Sequence, residues 1–377
     1  MIVRTPPMGW NTWNTFGENI NEALIMETCD AMVEKGLRDA GYQYIVIDDC
    51  WSMDERDSEG RLQADPVKFP HGMKYLADYI HSKGMKIGMY SCCGPRTCAG
   101  YPGSLDHEFI DAKFFADNEI DYLKYDYCYH PRNLNCSTLY NRMRMALNAT
   151  GRDIVFSVCN WGDDGLLEWI RAVGGDLYRS TGDIEDSFRS IMDIFNSQIH
   201  NFALSGPSCF NDMDMLVCGM NNRGNVSAGG CTFEEYKTHF ALWCMAQSPL
   251  MIGCDVRSVD DDILALLKNP ELIAINQDPG VRPIIPVNMF NEERFPSFAK
   301  HLENGEYAFS LTNLEDETRD VFLILADMGL PLDGHWGFKL RDCITGEEID
   351  RVAEDIIKAE VKAHSTKVFR GKLVRVR

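Results

Sequence analysis

Apolar, β-rich runs recur along the first three quarters of the chain, and segments with apolar residues at helical spacing lie between them. A strand followed by a helix and loops is the βα unit of parallel sheets. Eight such units predict a closed (β/α)8 TIM barrel over residues 1–280. The predicted strands are residues 8–13, 44–49, 86–91, 121–126, 154–159, 177–183, 211–217 and 249–255.

Three of the intervening segments carry clear helix signals. Residues 21–41 and 72–84 have apolar residues at helical spacing before a Gly, and residues 232–247 open with a Thr cap and early carboxylates. From about residue 285 the pattern changes to short runs separated by turn residues. This change predicts a C-terminal antiparallel β-sandwich domain over residues 285–377.

The charge balance bears on the partners of the protein. The 377 residues include 37 basic and 57 acidic ones, a net charge of -20, which argues against nucleic acid and anionic membranes and favours a small neutral substrate. No apolar run is long enough to span a bilayer, and the N-terminus lacks the features of a secretory signal. We expect a cytoplasmic protein, or a secreted one if a leader was removed. A homo-oligomer is compatible with the sequence.

The 14 cysteines are spread over a long chain, which does not fit a small disulfide scaffold. Cys159, Cys244 and Cys254 lie in apolar runs and are predicted to be small buried hydrophobic residues. The stretch "SCCGPRTC" groups further cysteines, but its spacing matches no pair of zinc knuckles. We therefore predict no zinc site there.

Polar residues gather where the predicted strands end, the edge at which barrels of this class build their sites. One Asp there is usually a helix cap, and Asp255 is interpreted in that way. Seven carboxylates over five of the eight strands, with a Lys and an Arg, indicate more than capping. The residues at these ends are Trp13, Asp48, Asp49, Tyr90, Lys124, Asp126, Asn160, Arg179, Asp183, Asp212, Asp214 and Asp255.

This set suits a sugar, because carboxylates accept hydrogen bonds from hydroxyls and aromatic rings cover an apolar sugar face. The competing interpretation is a hard cation bound by oxygen ligands. The Lys and Arg in the same set, and the absence of phosphate-binding glycine loops, favour the sugar. We predict no metal and no cofactor. The alternative metal ligands would be Asp48, Asp49, Asp126 and Asp214.

Two of the carboxylates are candidates for the acid and base work of glycoside cleavage. Lys124 and Asp126 are two apart in a strand and share a face, so the ammonium should keep Asp126 ionised as a nucleophile. Asp183 follows the small-residue turn "STG". We expect it in a less cationic, partly buried place, where it can hold and return a proton.

Several blocks of the sequence are similar to those of a known enzyme family, in order over roughly residues 4–280. They are "PPMGWNTWNTFG", "IDDCW", "GRLQADPVKFPHGMKYLADYIHSKGMKIGMYS", "RTCAGYPGS", "YLKYDYC", "STGDI", "NDMDML" and "AINQDPG". The chain resembles glycoside hydrolase family 27, the α-galactosidases and α-N-acetylgalactosaminidases. The resemblance implies the barrel, the C-terminal β domain and retaining hydrolysis of a terminal α-linked galactose-type sugar.

The resemblance also implies roles for individual residues. It makes Asp126 the nucleophile and Asp183 the acid/base, and it assigns Asp48 and Asp49 to the 4- and 6-hydroxyls of the sugar. It further implies that Cys98 and Cys128 lie close together as a disulfide pair beside the pocket. The sugar-binding positions are Trp13, Asp48, Asp49, Tyr90, Cys98, Lys124, Arg179, Asp214 and Met215.

The chain departs from the family pattern at several positions. Asn160 stands where the family has Glu, so we expect it to face carbon 2 of the sugar, unless its loop has shifted away from the substrate. "GPSCFNDMDM" is off-pattern, Glu18 replaces a cysteine so that Cys50 lacks its disulfide partner, and residues 218–232 form a longer, glycine-rich segment. An exo-acting α-galactosidase is the main hypothesis. An α-N-acetylgalactosaminidase, a β-L-arabinopyranosidase and a carbohydrate-binding barrel without turnover are the alternatives.

Overall fold

The computed structural model describes residues 3–287 and 293–376. Eight parallel strands form one curled sheet in the order β7-β6-β5-β4-β3-β2-β1-β8. They are β1 (Met8–Asn11), β2 (Tyr44–Val46), β3 (Lys86–Cys92), β4 (Tyr122–Asp126), β5 (Val155–Cys159), β6 (Leu177–Arg179), β7 (Phe210–Asp212) and β8 (Leu250–Ile252). Leu216, just after β7, closes the ring: its N–H donates to Met251 O at 2.7 Å and its carbonyl accepts from Gly253 N at 2.9 Å. The predicted (β/α)8 barrel is confirmed.

Five of the eight strands end earlier than the sequence predicted. β6 and β7 end before Asp183 and Asp214, which lie in the loops that follow. Asp214 has φ 86°, a left-handed conformation that a strand cannot contain. Trp13 does not end β1 but begins a short helix. The functional side chains therefore project from the first loop residues as well as from the strands.

Helices connect the strands and cover the outside of the barrel. They are α1 (Trp13–Phe16), α2 (Glu22–Glu34), α3 (Gly72–Ser82), α4 (Glu108–Asp117), α5 (Cys136–Ala149), α6 (Leu166–Val173), α7 (Phe188–Ser197), α8 (Phe233–Ala246), α9 (Asp261–Leu267) and α10 (Pro270–Asn276). Thr232 caps α8 in a reciprocal capping box with Glu235, as the sequence predicted. Among the described residues, no helix combines the length and apolar character needed to cross a membrane.

The alternation along β4 decides which side chains reach the barrel interior. Leu123 and Tyr125 are fully buried in the core between the strands and the helices. Lys124 and Asp126 therefore face inward, because successive strand residues point to opposite sides. Tyr122, on the same face as these two, joins a cluster of inward apolar side chains that includes Tyr44 and Phe210. This packing fills the barrel below the site.

The C-terminal part is antiparallel and has its own apolar core. Six strands form one sheet in the order β14-β13-β16-β11-β10-β9, and β12 pairs with β15. The strands are β9 (Ile285–Val287), β10 (Ser297–His301), β11 (Tyr307–Thr312), β12 (Arg319–Ile324), β13 (Trp336–Asp342), β14 (Ala353–Glu354), β15 (Ile356–Val361) and β16 (Thr366–Arg375). The predicted β-sandwich is confirmed, whereas the boundary between 280 and 285 stays a prediction. Residues 288–292 and 377 of the predicted domain lie outside the described residues.

The cysteines divide into one bonded pair and twelve free thiols. Cys98 and Cys128 form a disulfide with their Cα atoms 5.2 Å apart, so the predicted proximity of the two sulfurs is confirmed. Eleven of the free cysteines are buried, including Cys50, and Cys231 is partly exposed. Burial of Cys159, Cys244 and Cys254 agrees with the prediction from the apolar runs.

Candidate active site

The predicted site residues meet in one cavity at the carboxyl end of the barrel. The cavity encloses about 520 Å³, open solvent at its mouth included. Every predicted substrate or catalytic residue except Asn160 lines it. These side chains are Trp13, Asp48, Asp49, Tyr90, Cys98, Lys124, Asp126, Arg179, Asp183, Asp214 and Met215.

Asp126 ends β4 with both carboxylate oxygens held. Oδ2 accepts from Tyr90 Oη at 3.0 Å and Oδ1 accepts from Tyr127 N at 2.8 Å. Burial raises the pKa of Asp126 to about 6, although the Lys124 charge and these hydrogen bonds oppose the rise. Lys124 therefore favours the ionised carboxylate, in the direction that the sequence indicated, but burial has the larger effect on the pKa.

Lys124 pairs with Asp48 rather than with its strand neighbour Asp126. Its Nζ lies 2.9 Å from Asp48 Oδ2, which also accepts from Asn11 Nδ2 at 2.7 Å. The long side chain thus reaches past β3 to a residue in the loop that follows β2. Burial lowers the pKa of Lys124, but Asp48 and Asp126 outweigh that effect and raise it well above its usual value.

Asp49 is held in place by backbone donors. Its oxygens accept from Cys50 N at 2.7 Å and Ala99 N at 2.9 Å, and burial raises its pKa. These bonds fix the Asp49 carboxylate, as Lys124 and Asn11 fix that of Asp48, so each presents its oxygens to the cavity in one orientation. Such a pair can accept hydrogen bonds from two neighbouring hydroxyls.

Arg179 at the end of β6 connects two carboxylates through a single nitrogen of its guanidinium. One nitrogen, Nη2, lies 2.8 Å from Asp183 and 2.5 Å from Asp214. The Asp214 side chain is 8% exposed and burial raises its pKa to about 6, whereas the Asp183 side chain is 76% exposed. The expectation of a less cationic, partly buried place for Asp183 is wrong, because the turn at "STG" carries it to the mouth of the cavity.

Asp212 stands behind this group and does not line the cavity. Its Oδ1 accepts from Asp214 N at 2.9 Å, which helps to fix the left-handed backbone of Asp214. Asp255 is also outside the cavity. It binds Arg257 and does not cap a helix, since Asp260 is the residue before α9, so the predicted capping role is wrong.

Asn160 is fully buried and turned away from the cavity. Its Nδ2 donates to Asp163 O at 2.7 Å and to Cys136 Sγ at 3.4 Å, so the amide organises its own loop. The side chain expected to face carbon 2 of the sugar therefore does not line the cavity. The following Trp161 lines the cavity instead, with φ 60°.

Five further residues line the cavity that sequence reasoning did not assign to it: Asn14, Cys159, Trp161, Ile184 and Val226. Cys159 lies in register between Asp126 and Arg179 on neighbouring strands. Trp161 could have been found, because an aromatic residue beside a strand end suits a sugar. Val226 carried no comparable signal, since it lies in a glycine-rich loop far from any strand.

One group of potential metal ligands occurs among the described residues: Cys98, Asp126 and Cys128, whose ligand atoms lie within 4.8 Å of one another. The two sulfurs are bonded to each other in the disulfide and are not available as thiolate ligands. Within the cavity, Asp48 and Asp214 already face Lys124 and Arg179. The arrangement fits hydroxyl recognition better than a cation.

Comparison with known proteins gives the family. The family model described as "Alpha galactosidase A" matches residues 5–278, and the model described as "Alpha galactosidase C-terminal beta sandwich domain" matches residues 293–370. The chain belongs to the α-galactosidase family, glycoside hydrolase family 27. Membership in this family makes it a glycoside hydrolase.

Individual relatives agree with this assignment. α-Galactosidase 3 of Arabidopsis thaliana is 49% identical over 280 residues, which are 74% of this chain and 61% of that protein. The α-galactosidase of Cyamopsis tetragonoloba is 42% identical over 98% of this chain and 86% of its own length. The structure of the Saccharomyces cerevisiae α-galactosidase with raffinose is 29% identical with a TM-score of 0.86, covering 99% of this chain and 98% of that one. The chain thus spans less than two thirds of the Arabidopsis protein.

Proposed function

We propose that this family 27 enzyme is a retaining, exo-acting α-galactosidase that removes terminal α-linked galactose from oligosaccharides or glycoconjugates. The observation that carries the proposal is the cavity in which Asp126 and Asp183 meet the sugar-binding residues. The relatives named above support it, and the yeast enzyme with raffinose supports an oligosaccharide substrate.

In the first step, a carboxylate oxygen of Asp126 attacks the anomeric carbon while Asp183 gives its proton to the glycosidic oxygen. The bond to the leaving group breaks and a galactosyl ester of Asp126 forms. In the second step, Asp183 takes a proton from water, which attacks the same carbon and releases Asp126. Two inversions give net retention at that carbon.

The different surroundings of the two carboxyl groups support this division of roles. Asp126 is buried and held by two donors, so its attacking oxygen is oriented. Asp183 lies at the exposed mouth, where protons exchange with water. Arg179 also faces Asp214, so the guanidinium keeps a carboxylate partner when Asp183 takes up a proton. The sharing of Arg179 thus permits Asp183 to alternate between acid and base.

The sugar is recognised at the floor of the cavity. Asp48 and Asp49 accept hydrogen bonds from the 4- and 6-hydroxyls of a galacto-configured ring, and Lys124 donates to the same edge. Trp13 and Tyr90 cover apolar ring surface. Because Asn160 is buried, Cys159 and Trp161 are better candidates to border carbon 2. The ratio of kcat/KM on aryl α-galactoside and aryl α-N-acetylgalactosaminide tests the preference for galactose.

The decisive experiment compares two substitutions of strand-end aspartates. Asp126→Asn removes the nucleophile with little change in size, so turnover of an aryl α-galactoside should be lost while the thermal unfolding midpoint stays close to that of the wild type. Asp255→Asn is the matched control, since Asp255 pairs with Arg257 outside the cavity. Retention of most activity by Asp126→Asn would contradict the assignment.

Two further measurements extend the test. Asp183→Asn should retain more activity on substrates with good leaving groups than on oligosaccharides, because only poor leaving groups need the proton. The carboxyl oxygens of Asp126 and Asp183 should lie about 5 Å apart in a sugar complex, as in retaining enzymes. If purified protein hydrolysed neither aryl glycoside nor an aryl β-L-arabinopyranoside, a binding barrel would be the better explanation.

A further inference from the structure

The loop between β7 and α8 contains a segment, residues 221–227, that we call the strap. Most of the strap is exposed, but Val226 is half-buried and lines the sugar cavity. Nothing in the mechanism above uses this segment. Its backbone contacts nevertheless reach both the Asp183 side and the Trp13 side of the cavity.

Asp186 anchors the strap on the Asp183 side. This carboxylate is fully buried, and its oxygens accept from Asn222 N at 2.7 Å and Tyr236 Oη at 2.9 Å. The backbone N–H of Asp186 donates to Val226 O at 2.9 Å. Asp186 is three residues beyond Asp183 and precedes α7, so the strap is attached to the segment that carries the proposed acid/base.

Asn225 and Gly224 hold the strap on the Trp13 side. Asn225 N donates to Asn14 O at 2.7 Å. Gly224 packs so closely that an added Cβ would lie 2.7 Å from Thr15 Cα and 2.8 Å from Asn14 O, both of them backbone atoms. Asn14 and Thr15 belong to α1, which begins at Trp13. No side chain fits at position 224 without moving the strap or α1.

We propose that the strap fixes the sugar cavity by joining the Asp183 loop to α1, with Asp186 as a positioning residue and Val226 as a contact of the terminal sugar. The proposal rests on the proposed function, because it assigns a role within that same cavity. Val226 lines the same cavity as Asp126, together with Asn14 and Ile184. This shared lining with the nucleophile is the reason for assigning Val226 to the terminal sugar.

Two alanine substitutions separate contact from backbone strain. Gly224 and Gly229 both have positive φ, 86° and 106°, so alanine is strained at either position. An added Cβ at Gly229, just outside the strap, meets nothing within 4 Å. Gly224→Ala should raise KM for an aryl α-galactoside at least fivefold with kcat within twofold, whereas Gly229→Ala should keep KM within twofold. Equal KM values for the two variants would overturn the proposal.

Val226→Ala tests the assigned sugar contact. Its KM should rise by the same factor for an aryl α-galactoside and for raffinose, because the lost contact is with the shared terminal sugar. A factor that differed more than threefold between the two substrates would place Val226 against the leaving group, which contradicts the proposal.

Hydrogen exchange provides a readout that does not depend on hydrolysis. In Gly224→Ala, amides in residues 13–17 and 221–227 should exchange faster than in the wild type, and in Gly229→Ala the 13–17 amides should not. Unchanged exchange in Gly224→Ala would overturn the proposal that the strap joins the two sides of the cavity, even if this variant were active. If the wild type hydrolysed no galactoside, the proposed function would fail while this comparison still decided whether the strap joins the two sides.

Discussion

Two lysines, half-buried Lys124 in the barrel and fully buried Lys300 in the β domain, have opposite surroundings. Lys124 lies in the barrel cavity with Asp48 at 2.9 Å. Lys300 lies on β10, where the β domain meets the end of α8, and it donates to Gln247 Oε1 at 2.7 Å and Met245 O at 3.2 Å. One ammonium faces carboxylates and the other faces neutral oxygens.

Burial lowers the pKa of both lysines, but the outcome differs. In the cavity, Asp48 and Asp126 overcome burial and raise the pKa of Lys124 well above its usual value. At the domain contact, burial prevails and lowers the pKa of Lys300 to about 7, with Asp278 opposing it only in part. The comparison teaches that carboxylate partners, and not depth alone, decide whether a buried site keeps a charge.

Removing the cavity ammonium should have the largest effect. Lys124→Met leaves Asp48 buried without its cation, and breaking a buried pair in this way costs about 3–5 kcal/mol of unfolding free energy. We expect kcat/KM to fall at least about a hundredfold, since 2.7 kcal/mol of lost transition-state binding has that effect. Urea unfolding and steady-state kinetics check both. Lys358→Met, at an exposed lysine paired with Asp320, is the control. A loss below tenfold would contradict the pairing argument.

Lys300 should make stability depend on pH in the alkaline range. Its folded pKa, about 7, lies below the usual 10.5, so between these values the unfolded chain binds one more proton and stability rises with pH. The wild-type unfolding free energy should therefore gain up to about 1.4 kcal/mol per pH unit relative to Lys300→Met. Urea midpoints at pH 6.5, 8 and 9.5 measure the difference. Parallel profiles for the two proteins would show that Lys300 stays charged.

The fall of kcat/KM at acid pH should reflect the protonation of Asp126. Burial raises its pKa to about 6, so kcat/KM should fall about tenfold per pH unit below that value as the nucleophile becomes protonated. In Lys124→Met, the residual activity should begin to fall at a higher pH than in the wild type, because the ammonium that opposes protonation of Asp126 is gone. Lys300→Met should leave the pH at which kcat/KM falls unchanged. A fall only below pH 4 in the wild type would disagree with the buried environment of Asp126.

The smallest effect is expected at Asn160, a buried polar side chain without charge. Asn160→Ala should change the kcat/KM ratio for galactoside and N-acetylgalactosaminide less than about twofold, since the side chain does not line the cavity. Stability should fall by about 1–2 kcal/mol, because Asp163 O loses a buried donor. A tenfold change in the ratio would show that Asn160 does contact the substituent at carbon 2.

Much of this architecture could be predicted from the chain because periodicity and chemistry agree. The eight βα units placed Asp48, Asp126 and Arg179 at one end of the barrel, and the family resemblance added residues such as Cys98 and Met215 that no pattern indicates. The predicted disulfide between Cys98 and Cys128 followed from the same resemblance. Spacing along the sequence was sufficient to place Asp48, Asp126 and Arg179 at the cavity, because each lies on or close to a strand end.

Other features could not be predicted because they depend on side-chain direction or on loops. Lys124 on β4 reaches past β3 to Asp48 beyond β2, which the two-residue spacing to Asp126 does not reveal. Asn160 occupies a family position, but position does not fix orientation, and its amide is turned away from the cavity. Val226 enters the cavity only because distant backbone groups of Asp186 and Asn14 hold its loop. Contacts of this kind arise from tertiary structure alone.

The burial of the cysteines has a consequence for covalent chemistry. Disulfide exchange requires a thiolate, and burial raises the pKa of thiols such as Cys29, Cys50 and Cys136 to about 12 in each case. Cys93, close in sequence to Cys98, is shifted upward as well. In the folded protein these groups are therefore poor nucleophiles toward the bond between Cys98 and Cys128. The bond between Cys98 and Cys128 is therefore preserved among the fourteen cysteines because exchange is slow. Exchange of disulfide partners becomes a risk when the chain unfolds.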